Sequence, residues 1–188
     1  MKPTPALTRR RVLHWALGGA ALTAAAVPVR AAAAATGGER ERWLELANTH
    51  TGETVQLAYR DRHGLIASAL ARLEHLLRDH RVNEQHPIDP ALYDQLTDLA
   101  VAAGCDARYE VISGYRSART NAVLAAESPG VARHSLHIAG RAIDVRLSGC
   151  ATARLHDLAL AAARGGVGFY RRSDFVHLDT GRVRTWSG

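Results

Sequence analysis

Two histidines and one aspartate in the second half of the chain have the residue types and spacing of a metal centre. His137 and Asp144 bracket six residues that include Gly140, in the run Ser135-Leu136-His137-Ile138-Ala139-Gly140-Arg141-Ala142-Ile143-Asp144. Asp144 lies between Ile143 and Val145, where a carboxylate is costly to bury unless something neutralises it. A divalent metal would do so. His177 sits in a second short apolar run, Asp174-Phe175-Val176-His177-Leu178-Asp179. If the strands carrying Asp144 and His177 are neighbours in one sheet, two imidazoles and one carboxylate converge and leave a fourth position for water. That is the open coordination of a catalytic zinc, and two nitrogen ligands with one oxygen ligand suit zinc better than calcium or magnesium.

The elements that must hold these residues can be read from periodicity. Trp43 to Leu46 and Val55 to Tyr59 alternate and are bridged by a turn near Thr51-Gly52, which reads as a β-hairpin. Helical spacing follows at Leu65, Ile66, Ala69, Leu70, Leu73, Leu76 and Leu77, and again at Leu92, Leu96, Leu99 and Ala100. The second helix carries its own boundaries: Asp89 before Pro90 as cap and first position, and Gly104 as stop. Tyr109 to Ile112 reads as a strand, Ser117 to Ala126 as a helix, Ala142 to Leu147 as a strand and Thr152 to Ala163 as a helix. Val167 to Tyr170, Phe175 to Leu178 and Val183 to Trp186 complete the chain as strands. Helices early and strands late, without regular alternation, predict an α+β fold.

The chain has 188 residues, enough for one ordinary domain. A net charge of +6 and a pI near 10 suggest nucleic acid until the charge is located. Residues 1–35 hold Lys2, Arg9, Arg10, Arg11 and Arg30 with no acid, and the remainder carries 19 basic against 18 acidic residues, so nucleic acid is not an expected partner. Arg9-Arg10-Arg11-Val12-Leu13, an uncharged stretch from Trp15 to Val29 and the alanines 31–35 have the order of an export signal of the twin-arginine type. Fifteen apolar residues broken by Gly18, Gly19 and Pro28 fall short of the roughly 20 needed to span a bilayer. The expected organisation is therefore a signal over 1–35, a linker over 36–42 and one domain over 43–188, working in the periplasm with no stable membrane span.

The pattern S-x-H-x-x-G-x-A-x-D followed by a later His resembles the zinc peptidases of the D-alanyl-D-alanine carboxypeptidase and VanX type, which share their fold with the hedgehog signalling domain. Leu77-Arg78-Asp79-His80-Arg81, Pro87-Ile88-Asp89-Pro90, Ser113-Gly114-Tyr115-Arg116-Ser117, Asn121, Gly166-Val167-Gly168 and His177-Leu178-Asp179-Thr180-Gly181-Arg182 resemble the murein endopeptidase K branch, from about Leu44 to Trp186. This resemblance implies an antiparallel sheet with flanking helices, one Zn2+ held by His137, Asp144 and His177, and a bound water as nucleophile. It places Asp174 where relatives carry the acidic general base and Arg116 where an arginine steadies the tetrahedral oxyanion. Strand alternation sets 174 and 177 on opposite faces unless Asp174 lies in the turn, so Asp179, on the face of His177, is the competing base.

The implied activity is a periplasmic zinc endopeptidase acting on peptidoglycan cross-links, with L,D meso-diaminopimelate bridges as the expected bond. The alternatives are a D,D-carboxypeptidase or D-Ala-D-Ala dipeptidase, and, from another class, an inactive zinc-stabilised binding module. Of the remaining histidines, His134 reads as a rim residue, and His75, His80 and His86 as solvated or capping groups. Tyr115 either shapes the cleft or packs. Cys105 and Cys150 are either a disulfide or two thiols; no C-x-x-C spacing makes them ligands.

Overall fold

A computed structural model describes residues 40–128 and 132–188, all within one compact unit, Gly37–Gly188. The expected export signal lies outside the described residues. Among the described residues no helix is long and apolar enough to cross a membrane.

The chain opens with β1 (Arg42–Asn48) and β2 (Thr54–Asp61), an antiparallel hairpin, followed by a two-residue strand β3 (Gly64–Leu65) on the edge of β2. Helices α1 (Ala67–Leu76) and α2 (Pro90–Ala103) lead to β4 (Arg108–Ser113), and α3 (Ala118–Glu127) follows. A single 3₁₀ turn, Leu136–Ala139, precedes β5 (Ala142–Leu147) and α4 (Thr152–Ala162). Strands β6 (Gly166–Tyr170), β7 (Phe175–Asp179) and β8 (Arg184–Ser187) close the fold. The eight strands form one sheet in the order β3-β2-β1-β4-β5-β7-β6-β8.

Local signals set the helix ends. The Asp89 side chain accepts from Ala91 N–H at 3.0 Å, Pro90 takes the first helical position, and Gly104 closes α2 at φ 69°, a left-handed turn that a side chain disfavours. The apolar pattern continuing back to Leu65 does not start α1. Leu65 instead pairs with Arg60, Ile66 N–H donates to the Tyr59 carbonyl, and the helix begins at Ala67.

The α+β class holds, but the sheet is mixed rather than wholly antiparallel. Strand β4 runs parallel to β1, and β8 parallel to β6. Two helices separate β2 from β4, so the chain crosses over before returning beside β1, the route a parallel pair requires. At the other edge β7 turns back along β6, and β8 then takes the free side of β6 in the direction of β6 itself.

The core lies on one face of the sheet. Leu92, Leu96, Leu99, Leu155 and Ala159 from α2 and α4 pack against Ile143, Val145, Val176 and Leu178. Alternation sends Asp144 and His177 to the other face, and the register pairs these two residues directly across β5 and β7. Cys105 and Cys150 are free thiols at the margin of this core, the Cys105 sulfur 4.0 Å from the Gly149 carbonyl.

Candidate metal centre and cleft

His137 reaches the site from the 3₁₀ turn. Ser135 Oγ caps that turn by accepting from His137 N–H at 3.4 Å, and Gly140 ends it at φ 63°. A Cβ on Gly140 would stand 2.1 Å from the Pro87 carbonyl, so the close approach of the two segments depends on glycine. Asp144 and His177 come from adjacent strands, and one ligand atom from each of the three residues lies within 4.8 Å of the others. His177 Nδ1 is 2.8 Å from Asp144 Oδ1, and His137 Nε2 is 3.3 Å from Asp144 Oδ2 and 3.2 Å from His177 Nδ1.

Each imidazole is held by a partner behind it. His137 Nδ1–H donates to the Gly114 carbonyl at 2.6 Å, which turns Nε2 inward. His177 Nε2–H donates to Asp179 Oδ2 at 3.1 Å, which turns Nδ1 inward. Asp179 is fully buried and also accepts from Gly166 N–H at 2.9 Å, Gly181 N–H at 2.8 Å and Arg184 Nη2 at 2.6 Å. Such outer partners fix ring orientation and raise ligand basicity in metal sites.

The electrostatics match this geometry. Burial alone would raise the Asp144 carboxyl, but the His137 and His177 imidazoles outweigh it and hold Asp144 far below the usual carboxylate range. Burial opposes charge on His177, yet its hydrogen bonds to Asp144 and Asp179 push it up to about 9. His137 is lowered, chiefly by burial. Without a metal the three residues neutralise one another. With one, they offer two nitrogens and a carboxylate oxygen, a donor set that fits a zinc-type ion.

Arg116 is brought to the same place. Its backbone N–H donates to the His137 carbonyl at 3.2 Å, and its guanidinium donates to Asn121 Oδ1 at 3.2 Å and Ser113 Oγ at 3.3 Å while lying 3.8 Å from Asp144. Asn121 in turn donates to the carbonyls of Ala132 and Arg133, tying α3 to the segment ahead of His137. Arg116, His137, Asp144 and His177 line a cleft of about 320 Å³, with His134 among its walls.

The structure does not bring Asp174 into this group. Asp174 does occupy the β6–β7 turn, at φ 52°, but its carboxylate accepts from Thr152 Oγ1 at 2.6 Å at the start of α4, and Arg146 donates to its backbone carbonyl. The Thr152 contact therefore sets the direction of the carboxylate, toward the start of α4 and not toward His177. Asp179 is on the His177 face, but it is enclosed behind the imidazole and its oxygens are committed to protein donors. Tyr115 packs: it is buried, stacks on His86 and donates to Glu84 Oε1 at 2.6 Å.

Four contributing residues were not singled out as site residues in the sequence. The Gly114 carbonyl carries no side-chain signal. Asp79 accepts from Ser117 N–H at 3.0 Å and so anchors the loop bearing Arg116. Tyr170 and Trp186 line the cleft from strands whose pairing the sequence does not announce. Only Asp179, two residues from His177 on the same strand face, had a legible signal.

Three candidate ligands at the floor of a cleft, with one side left open, match the three-ligand pattern of catalytic metal sites rather than the four-ligand pattern of structural ones. The family model described as peptidoglycan L,D-endopeptidase MepK matches residues 36–186, and the chain belongs to that family. It is 46% identical over 178 residues to the peptidoglycan L,D-endopeptidase MepK of Escherichia coli K12, covering 95% of this chain and 96% of the relative. It is 39% identical over 173 residues to the probable peptidoglycan L,D-endopeptidase MepK of Haemophilus influenzae, covering 92% of each. No solved structure matches the chain significantly.

Proposed function

We propose that this protein is a zinc-dependent endopeptidase that hydrolyses peptide cross-links of peptidoglycan, with L,D bonds at meso-diaminopimelate as its substrate. The observation that carries this reading is the convergence of His137 Nε2, His177 Nδ1 and Asp144 on one point at the floor of an open-sided cleft. Kinship over nearly the whole chain with proteins named for that activity supports the choice of substrate.

In this reading His137, Asp144 and His177 would hold one Zn2+, which when bound would supply a water acidified from a pKa of about 15.7 toward roughly 7. Gly114 and Asp179 keep the two imidazoles in the tautomers that ligation needs. Arg116, buried but facing the cleft, presents its charge to the substrate carbonyl and opposes the negative charge that develops there. Burial lowers the Arg116 guanidinium somewhat and Asp144 restores part of that loss, so the group stays cationic.

The scaffold is, on this reading, of the hedgehog and D-Ala-D-Ala peptidase type. Residues 1–35 act as a twin-arginine export signal, 36–42 as linker and 43–188 as the working domain in the periplasm. The test is incubation of the purified, zinc-loaded protein with intact sacculi and identification of the products by mass. Loss of diaminopimelate-linked dimers with gain of the corresponding monomers is the expected result; release of free D-Ala alone would contradict it.

A further inference from the structure

One wall of the cleft is aromatic and contains a hydroxyl whose proton has no partner among the described residues. Register places Tyr170, Phe175, Gly168 and His177 on one face of β6 and β7, with Trp186 of β8 beside Gly168. Tyr170 stacks on Phe175 at 4.5 Å between ring centroids, and the Trp186 ring lies 5.0 Å from His177. Gly168 makes this possible: a Cβ there would stand 2.6 Å from Trp186 Cε2, so any side chain would displace the indole. The indole Nε1–H donates to Tyr170 Oη at 3.0 Å. That bond occupies an acceptor position of the phenol oxygen and leaves its O–H free to donate into the cleft that Arg116 also lines.

Building on the hydrolase reading, the geometry points to Tyr170 as a second catalytic donor, whose phenol hydrogen-bonds the substrate carbonyl oxygen as that oxygen becomes anionic. A phenol O–H is a hydrogen-bond donor, and a donor held in place before the reaction needs no reorganisation during it. The phenol donates a hydrogen bond only; no bond to tyrosine forms and its proton stays on oxygen. Trp186 is the positioning residue: its N–H fixes the phenol, and the cation of Arg184, 4.9 Å above the indole, holds Trp186 in turn. Arg116 and Tyr170 together supply one charged and one neutral donor to the same developing charge.

The experiment compares wild type, Tyr170→Phe and Trp186→Phe of the zinc-loaded protein on a purified diaminopimelate-cross-linked muropeptide dimer. A phosphinate analogue of the cross-bridge peptide is bound to each by calorimetry. Removing one preorganised donor to an oxyanion costs roughly 100-fold in kcat, so Tyr170→Phe should lose about that factor with KM near wild type and zinc content intact. Phosphinate affinity should fall by a similar factor, since the analogue carries the charge of the transition state. Trp186→Phe should lose less, because the phenol can still donate though no longer fixed. If Tyr170→Phe fails to fold, Trp186→Phe decides alone: lower kcat at unchanged KM supports the assignment, and unchanged kcat overturns it. Wild-type kcat in a folded Tyr170→Phe, or a raised KM with kcat unchanged, would also overturn it. A wild-type protein that leaves the dimer intact overturns the hydrolase reading together with this inference, whereas an active wild type with an equally active Tyr170→Phe overturns the inference alone.

Discussion

Asp179 Oδ2 stands 3.1 Å from His177 Nε2, on the side of the imidazole away from Asp144, and this contact decides which nitrogen of His177 can bind a metal. The spacing of two residues puts both side chains on one face of β7. Two glycine N–H groups and Arg184 hold the carboxylate still, so the imidazole is aimed by a fully buried anion rather than by a solvated one.

Asp179→Asn tests that relationship. The amide oxygen can still accept from Gly166 and Gly181 N–H, but the NH2 then takes the place of Oδ2 and cannot accept from the His177 N–H. Loss of an outer partner of a metal-binding histidine typically costs 10–100-fold in metal affinity, so the zinc Kd should rise by about that factor. Chelator competition measures it. An unchanged Kd would show that the imidazole is oriented by other means.

Asp174→Ala should leave turnover within a few-fold of wild type, because the carboxylate is turned toward Thr152 and not toward the cleft. Steady-state kinetics on cross-linked muropeptides check this. A kcat loss comparable to that of Arg116→Ala, with zinc content unchanged, would return Asp174 to the catalytic group.

Asp79 should matter to both stability and pH response. It is buried and accepts from Ser117 N–H at 3.0 Å and Arg81 N–H at 3.1 Å. Burial raises its carboxyl, but hydrogen bonds from Thr120, Ser117 and Arg81 outweigh this and lower it. A carboxyl lowered in the folded state stabilises fully above its unfolded pKa, near 3.9, and that stabilisation is lost as pH falls from there through the folded value. Asp79→Asn should therefore destabilise by about 1–3 kcal/mol at neutral pH and by progressively less in acid. Denaturant melts at pH 7 and at pH 3 measure the difference; an equal loss at both would contradict the assignment.

Much of this structure was legible because its signals are local. Asp89-Pro90 and Gly104 mark the ends of α2 within a few residues, and Ser117 caps α3 by accepting from Thr120 N–H at 3.2 Å. The three candidate ligands were legible as well, since a carboxylate between Ile143 and Val145 needs a charge partner wherever it lies. Parallel pairing of β1 with β4 was not, because it depends on where two helices deliver the chain and not on either strand. Asp174 shows the other limit. The turn was placed correctly, but the direction of the carboxylate was decided by Thr152, 22 residues away. Trp186 reaches Tyr170 across 16 residues and only because Gly168 leaves room, a relationship visible only once β6 and β8 are paired.

The central claim is that His137, Asp144 and His177 form one zinc site. Its most direct test is the metal content, by mass spectrometry of the emitted ions, of wild type, His137→Ala, Asp144→Ala and His177→Ala, each purified identically and shown to be folded. The account predicts about one zinc per chain in wild type and a large loss in each variant, as expected when one of three protein ligands is removed. Stoichiometric zinc retained by both His137→Ala and His177→Ala would contradict it.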